Sequence, residues 1–460
     1  MNELFEQLKG FIHFNTISSL AIAFGLLALL GLLLSFGKRL DSAMKLERFG
    51  IPIALLFGVF GILFGPYGTL PLLTQSVTDI WTQLPSPLLT LVFASLMLGR
   101  PIPRANSLWQ PVASQALLGF LLGFGQYLVG GLAVLIILIP YFHVNPLMGC
   151  LIEVGFEGGH GAASIMGNSF QKLGFSSGLD LGLAMATVGL LSSTLLGSLL
   201  VIIARMRGWV VIQNQEPSED SKNLDNSFNL LSQFKAICIN LGLVGCAVSF
   251  GLGMLALIRS FAPFLGDVFK EAVLVFPVFP LALLGSFFIR FVLEKFKLEH
   301  FSSSIIQREI GVISTDLLIA TAMAGLNLPL LINYWLPITV LALAGLSWNL
   351  VGMFVFARLF FRDNWFERSL TEFGNATGVA ASGLLLLRLA DPRDLTKTLP
   401  IFSIKQLFLQ PLLSGGVITV FAPLVINRIG LLEWTELCGS ITFAIILLAF
   451  LLNNNSFETT

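Results

Sequence analysis

The chain is 460 residues long, 55% hydrophobic and only 11% charged, with a mean hydropathy of +0.86. Soluble domains carry about 25% charged residues, so this composition excludes an ordinary soluble protein and indicates an all-α polytopic membrane protein. Lys plus Arg equals Asp plus Glu, 26 against 26, which argues against a polyanionic partner such as nucleic acid.

Apolar runs of spanning length fall at residues 17–36, 50–66, 87–99, 111–140 and 179–204 in the first half. The second half has 234–258, 268–293, 305–326, 328–361 and 398–426, and a final run, 437–452, stands alone. The first run ends in Gly-Lys-Arg rather than a small-residue cleavage site, so no cleavable leader is expected. The one long polar stretch, 205–233, reads as a flexible linker. The chain thus divides into an N-terminal repeat (1–204), the linker, a C-terminal repeat (234–428) and an extra span with its tail (429–460). The cysteines (Cys150, Cys238, Cys246 and Cys438) form no CxxC pair and read as packing thiols.

Five spans per half is an odd number, so the two halves must have opposite topology. Nineteen Lys and Arg residues fall on one side of this arrangement and five on the other. The rich side is expected to be cytoplasmic, which puts the N-terminus outside and the linker inside the plasma (inner) membrane. Short strings repeat between the halves: Ala94 to Gly99 resembles Ala320 to Gly325. About fifty residues after each comes a glycine-interrupted polar segment, Phe156 to Ser164 and then Phe373 to Ser382. Paired interruptions in inverted halves point to a transporter's binding site. The spacing predicts two re-entrant hairpins, near 146–178 from outside and near 364–397 from the cytoplasm, meeting near the midplane.

Such hairpins leave backbone N–H groups free at half-helix starts and carbonyls free at half-helix ends. The first suit a substrate carboxylate and the second a hard cation such as Na⁺. Gly158, Gly159, Gly161, Gly374 and Gly378 would let the backbone approach the ligand, unless they serve tight helix packing. His160 reads as a hydrogen-bonding pivot; Ser164, Asn375 and Thr377 complete the substrate-binding set. Glu153 and Glu157 share a helical face, which suggests cation binding or proton exchange unless the tip stays solvated. Thr315 and Asp316 can offer oxygens to Na⁺, or an interhelical hydrogen bond. Arg308 and Arg388 could meet a second substrate carboxylate, or snorkel. No hydrolase, zinc-protease or Walker pattern occurs, so no enzyme and no organic cofactor are expected.

Pro146-Leu147-Met148-Gly149, then Gly158-Gly159-His160-Gly161, then Leu183 to Leu190 resemble, in order and spacing, the first-half signature of the bacterial sodium/glutamate symporters. A weaker likeness runs through Thr315 to Leu326 and over most of residues 10–428. The resemblance implies inverted repeats, two re-entrant loops, Na⁺-coupled glutamate uptake, a homodimer and elevator-like alternating access. Three departures stand out. Asn375-Ala376-Thr377-Gly378 replaces a glycine-richer motif, Glu153 and Glu157 stand where small or hydroxyl residues are usual, and 437–452 lies beyond the usual end. The alternatives are a Na⁺- or H⁺-coupled di- or tricarboxylate carrier, and a channel or sensor that kept the fold without transport.

Overall fold

In hydrocarbon every backbone N–H must find its acceptor within its own segment, and the chain meets that demand with helix. The computed structural model describes residues 84–99, 109–210, 230–261, 278–324, 328–361, 363–391, 394–410 and 412–454, with isolated positions at 58–59, 62–63, 81 and 264. No strand occurs among them. The run 17–36, nearly all of 50–66, residues 268–277 and residues 211–229 of the linker lie outside the described residues.

The first helix is α1 (Pro85–Leu96), opened by its proline. Next comes α2, continuous over Trp109–Phe142 with a π-helical turn at Val134–Leu138. The left-handed His143 ends it (φ 51°). Asn145 then starts a 3₁₀ turn, Pro146–Cys150, its side chain accepting from the Leu147 N–H at 2.9 Å. That turn runs into α3 (Leu151–Phe156), followed by α4 (Gly159–Lys172) and α5 (Gly178–Arg207). Gly208, at φ +68°, caps α5. After the linker come α6 (Leu230–Phe261), α7 (Phe279–Lys295) and α8 (Ser304–Ala324). The linker's ends are therefore helical: α5 takes in Arg205 to Arg207, and α6 begins at Leu230.

The expected span 328–361 is two helices, α9 (Leu328–Asn333) and α10 (Trp335–Phe360), the latter with a π turn at Gly352–Phe356. Beyond it lie α11 (Trp365–Ala390), α12 (Thr398–Leu409), α13 (Val417–Ile429) and α14 (Leu431–Asn454). Run 398–426 is thus interrupted rather than continuous. Ser414 and Gly415 take left-handed backbone (φ 58° and 91°), and no α-helix can pass through them. The last helix starts earlier than expected, at Leu431, and packs along α2, with Trp434 edge-on to Tyr127 at 5.3 Å.

Among the described residues six helices are long and apolar enough to cross a membrane, α11 among them by length and composition. Geometry takes α11 off that list as a straight span. Gly378 (φ −146°, ψ 37°) and Val379 (φ 65°, ψ 171°) break it. Thr371 O lies 2.5 Å from where a Cβ on Gly383 would sit, although an unbroken helix would separate residues twelve apart by about 18 Å. The chain therefore folds back on itself at Gly378–Val379. The pair α3 and α4 does likewise at Gly158–Gly159, since Leu151 and Ala163 both flank Gly182 of α5. Each fold-back follows a long helix with a π turn near its end.

Lipid-ready faces surround this interior. Leu195, Leu199 and Ile202 on α5, and Phe443, Leu447 and Leu451 on α14, are exposed at helical spacing. Cation-rich ends gather together: Arg205 donates to Leu389 O at 2.5 Å, and Trp209 packs among Phe354, Trp365 and Phe366. This is a multi-pass membrane protein.

Candidate functional site

One face of α2 organises the interior. Gln115, Gly119, Gly123 and Tyr127 recur every fourth residue and so stack along one side of the helix, over about 18 Å. Each meets an ionisable group in turn. Gln115 donates to Glu372 Oε1 at 2.8 Å. A Cβ on Gly119 would sit 2.8 Å from Lys405 Cε, and one on Gly123 would sit 3.1 Å from Glu157 Oε2. Tyr127 donates its hydroxyl to Glu153 Oε2 at 2.6 Å. The small residues in the middle of this stripe make room for charged side chains that the bilayer would reject.

Lys405 and Glu372 form an ion pair at 2.7 Å with both side chains fully buried. Gln115 relays it to Arg368, accepting from Arg368 Nε at 2.9 Å, while Arg368 also donates to Pro111 O and lies 3.9 Å over the Phe361 ring. Glu153 is satisfied differently. Its Oε1 accepts from Ser414 N–H at 2.9 Å and the Thr419 hydroxyl at 2.8 Å, and its Oε2 from Tyr127. The carboxylate pins the chain at Ser414 to α2 and α3. Glu153→Gln is expected to cost about 1–2 kcal/mol, because charge-assisted bonds become neutral ones while Tyr127 can turn to accept from the new amide. Thermal unfolding of the purified variant measures this, and a loss above about 3 kcal/mol would contradict it.

Glu157 is one turn further on. Its Oε1 accepts from Ser414 Oγ at 3.1 Å and Asn375 Nδ2 at 3.4 Å; its Oε2, buried, has no protein donor. Asn375 in turn accepts from Gln406 Nε2 at 2.6 Å. The two fold-backs touch each other here. A Cβ on Gly159, itself at φ +67°, would overlap Val379 Cγ1. Val379 is a β-branched residue in left-handed backbone, a strained state that persists only where surrounding structure enforces it.

The tips open onto one cavity of about 720 Å³, its mouth included. Gly158, Gly159, His160, Gly161 and Gly378 line it, as do Glu157 and Thr315 among the expected cation ligands. Gln410 and Ser414 of the interrupted segment line it too, and Leu89 of α1 and Leu318 of α8 close the far side. His160 meets Thr187 Oγ1 at 3.0 Å. Thr187 gives its one hydroxyl hydrogen to Leu183 O at 2.9 Å, so His160 Nε2 carries the proton in that contact.

The remaining expected residues stand behind this surface. Ser164 donates back to His160 O at 2.7 Å. Gly374 is packed against Gly383. Thr377 accepts from Asn349 Nδ2 at 3.0 Å, and the neighbouring Ala376 carbonyl takes Asn349 and Gln126 together. Asp316 is half-buried and is not among the lining residues described. Thr315 spends its hydroxyl hydrogen on Gly311 O at 2.8 Å, which leaves its oxygen lone pairs toward the cavity. No cluster of three His, Cys, Asp or Glu suited to a metal occurs among the described residues.

Sequence reasoning passed over Lys405, Glu372, Gln406, Gln410, Ser414 and Thr419. A lone lysine inside the apolar run 398–426, and Gly415-Gly416 near its middle, were the available signals.

No curated protein matches the chain. The sodium/glutamate symporter family matches residues 12–364, which take in α1 to α10, the Gly-Gly-His-Gly tip and both π-turned helices, but end before the second fold-back. That match spans well over half of the 460 residues and includes one whole wall of the cavity, so the chain belongs to the sodium/glutamate symporter family.

Proposed function

We propose that this protein is a secondary active symporter that carries glutamate or a similar anionic amino acid inward with Na⁺. The observation that carries the reading is the contact of two chain breaks, Gly158–Gly159 and Gly378–Val379, at the wall of a single cavity. Helix-start N–H groups beside the tips favour the substrate carboxylates, and nearby oxygens favour the ion. Substrate lies between 156–164 and 373–382, cradled by Gly158, Gly159, Gly161 and Gly378, with His160, Ser164, Gly374, Asn375 and Thr377 shaping the cradle. The coupling cation draws on oxygens near Glu157 and Thr315, with Glu153 and Asp316 set further back.

The two halves, 1–204 and 234–428, act as inverted repeats, and the two fold-backs as re-entrant hairpins from opposite faces. The recurrence of a π-turned long helix followed by a fold-back in each half supports that pairing. Residues 429–460 add a span outside the repeats. The cavity lies between the fold-back tips and α1 and α8, and sliding of the broken-helix body against α1 and α8 is the elevator-like step. The protein works as a homodimer in the plasma membrane, with N-terminus out and linker in.

Uptake of labelled glutamate into proteoliposomes, challenged with unlabelled aspartate, malate and citrate, tests the substrate class. Competition by aspartate and not by citrate is expected. Strong competition by malate or citrate with none by aspartate would favour the carboxylate-carrier alternative.

A further inference from the structure

Three buried side chains around the cavity present oxygens that no protein donor reaches: Glu157 Oε2, Gln406 Oε1 and Gln410 Oε1. All three residues are more than nine-tenths buried, at 1%, 3% and 8% exposure. They belong to one connected set. Glu157 and Gln410 both line the cavity, and Gln406 stands one turn before Gln410 and reaches Glu157 through Asn375. The orientation of that relay is fixed by chemistry. A carboxylate oxygen can only accept, so Asn375 turns its Nδ2 to Glu157 and its Oδ1 to Gln406. Gln406 must then give its Nε2 to Asn375, which leaves its own oxygen unmatched. Ser414 donates its hydroxyl hydrogen to Glu157 and so shows only lone pairs to any further neighbour.

Glu157 Oε2 and Gln406 Oε1 are acceptors without donors, and the Gln410 side-chain amide, which makes no other hydrogen bond among the described residues, is free to turn its oxygen toward a shared ligand. Each unmet buried acceptor is costly, and a carboxylate more so than an amide. The charges point the same way. Lys405 spends its contact on Glu372 and acts on Glu157 only through space, Glu153 takes three donors, and Glu157 is left with no ion-pair contact and no donor to its Oε2. A small hard cation satisfies several such oxygens at once, and carboxylate, amide carbonyl and hydroxyl oxygens are its preferred ligands.

We propose that Glu157, Gln406, Gln410 and Ser414 form a Na⁺ site, with Glu157 as its only charged ligand. As the site of the coupling ion it rests on the symporter reading; as a binding site it does not. It also gives a role to the acid at 157, whose Oε2 no protein donor reaches. Gln406, Gln410 and Ser414 lie beyond the matched residues 12–364, so the site is assembled partly from this chain's own C-terminal third.

The test is Na⁺ titration of the purified, detergent-solubilised full chain without substrate, at constant ionic strength set by choline chloride and read by the shift in thermal unfolding. Wild type is expected to be stabilised by Na⁺, with at least tenfold weaker affinity in Glu157→Gln and in Gln410→Leu and unchanged affinity in Thr339→Val, whose exposed hydroxyl donates back to Trp335 O away from the cavity. Should Glu157→Gln fail to fold, Gln410→Leu decides alone. The proposal is overturned if Gln410→Leu keeps wild-type affinity, if Thr339→Val loses it equally, or if Na⁺ has no effect. It is also overturned if only glutamate stabilises, in a manner dependent on Glu157, since the oxygens would then serve the substrate ammonium. Binding is read apart from uptake, so Na⁺ binding without transport would sink the symporter reading and leave the site standing.

Discussion

Replacing Lys405 by Met is expected to destabilise the protein by about 3–5 kcal/mol, the usual cost of removing one partner of a buried ion pair. Lys405 lies at 0% exposure against Glu372, and its stem fills the space above Gly119. Methionine keeps the packing but leaves a carboxylate in the interior with Gln115 as its one remaining side-chain donor and no ion-pair contact. The double variant Lys405→Met with Glu372→Gln removes the orphaned charge and should recover most of the loss, since Gln115 can still donate to the new amide oxygen. Thermal unfolding of the four proteins in one detergent gives the coupling. A single-variant cost under about 1 kcal/mol would show that the pair is hydrated rather than buried.

Gly159→Val should lower uptake by a hundredfold or more while the chain still inserts. Two independent effects act at that position. A side chain at φ +67° costs about 1–3 kcal/mol in backbone strain, and its Cβ would enter Val379 Cγ1. The tips would be pushed apart at the cavity wall, where a misplacement of about 1 Å can cost a hundredfold in function. Val379→Gly clears that contact and relaxes a β-branched residue from left-handed backbone, so it is expected to raise stability by about 1 kcal/mol on its own. Combined with Gly159→Ala, it should restore part of the uptake lost in Gly159→Ala alone. Equal uptake by Gly159→Val and wild type would sink the tip contact as a functional feature.

The elements that punctuate themselves were legible in the sequence. Glycine and polar residues in hydrocarbon mark Gly158-Gly159 and Gly378 as candidate chain breaks, and non-helical backbone does occur at Gly159 and at Gly378–Val379. The break at Ser414–Gly415 carries a similar glycine signal, yet the surrounding apolar run reads as one span. Hydropathy averages over a window wider than the interruption. The ion pair was harder still. Glu372 and Lys405 are 33 residues apart, and Gln115 is 257 from Glu372; no local period encodes such pairings. What could be read was the four-residue spacing of Gln115, Gly119, Gly123 and Tyr127, which marks a small-residue face but not what fills it. Thr315 reaches the cavity and its neighbour Asp316 does not, because adjacent helical residues point about 100° apart.

Coupling of glutamate flux to Na⁺ is what makes a symporter. Purified protein in proteoliposomes, given labelled glutamate and either an inward Na⁺ gradient, an inward H⁺ gradient or none, measures it directly. Glutamate accumulated above the external concentration under the Na⁺ gradient, and only equilibrated or excluded under the other two, is the predicted result. Accumulation driven by H⁺ without Na⁺ would contradict the assigned ion, and equal equilibration under all three would make the protein a passive pathway.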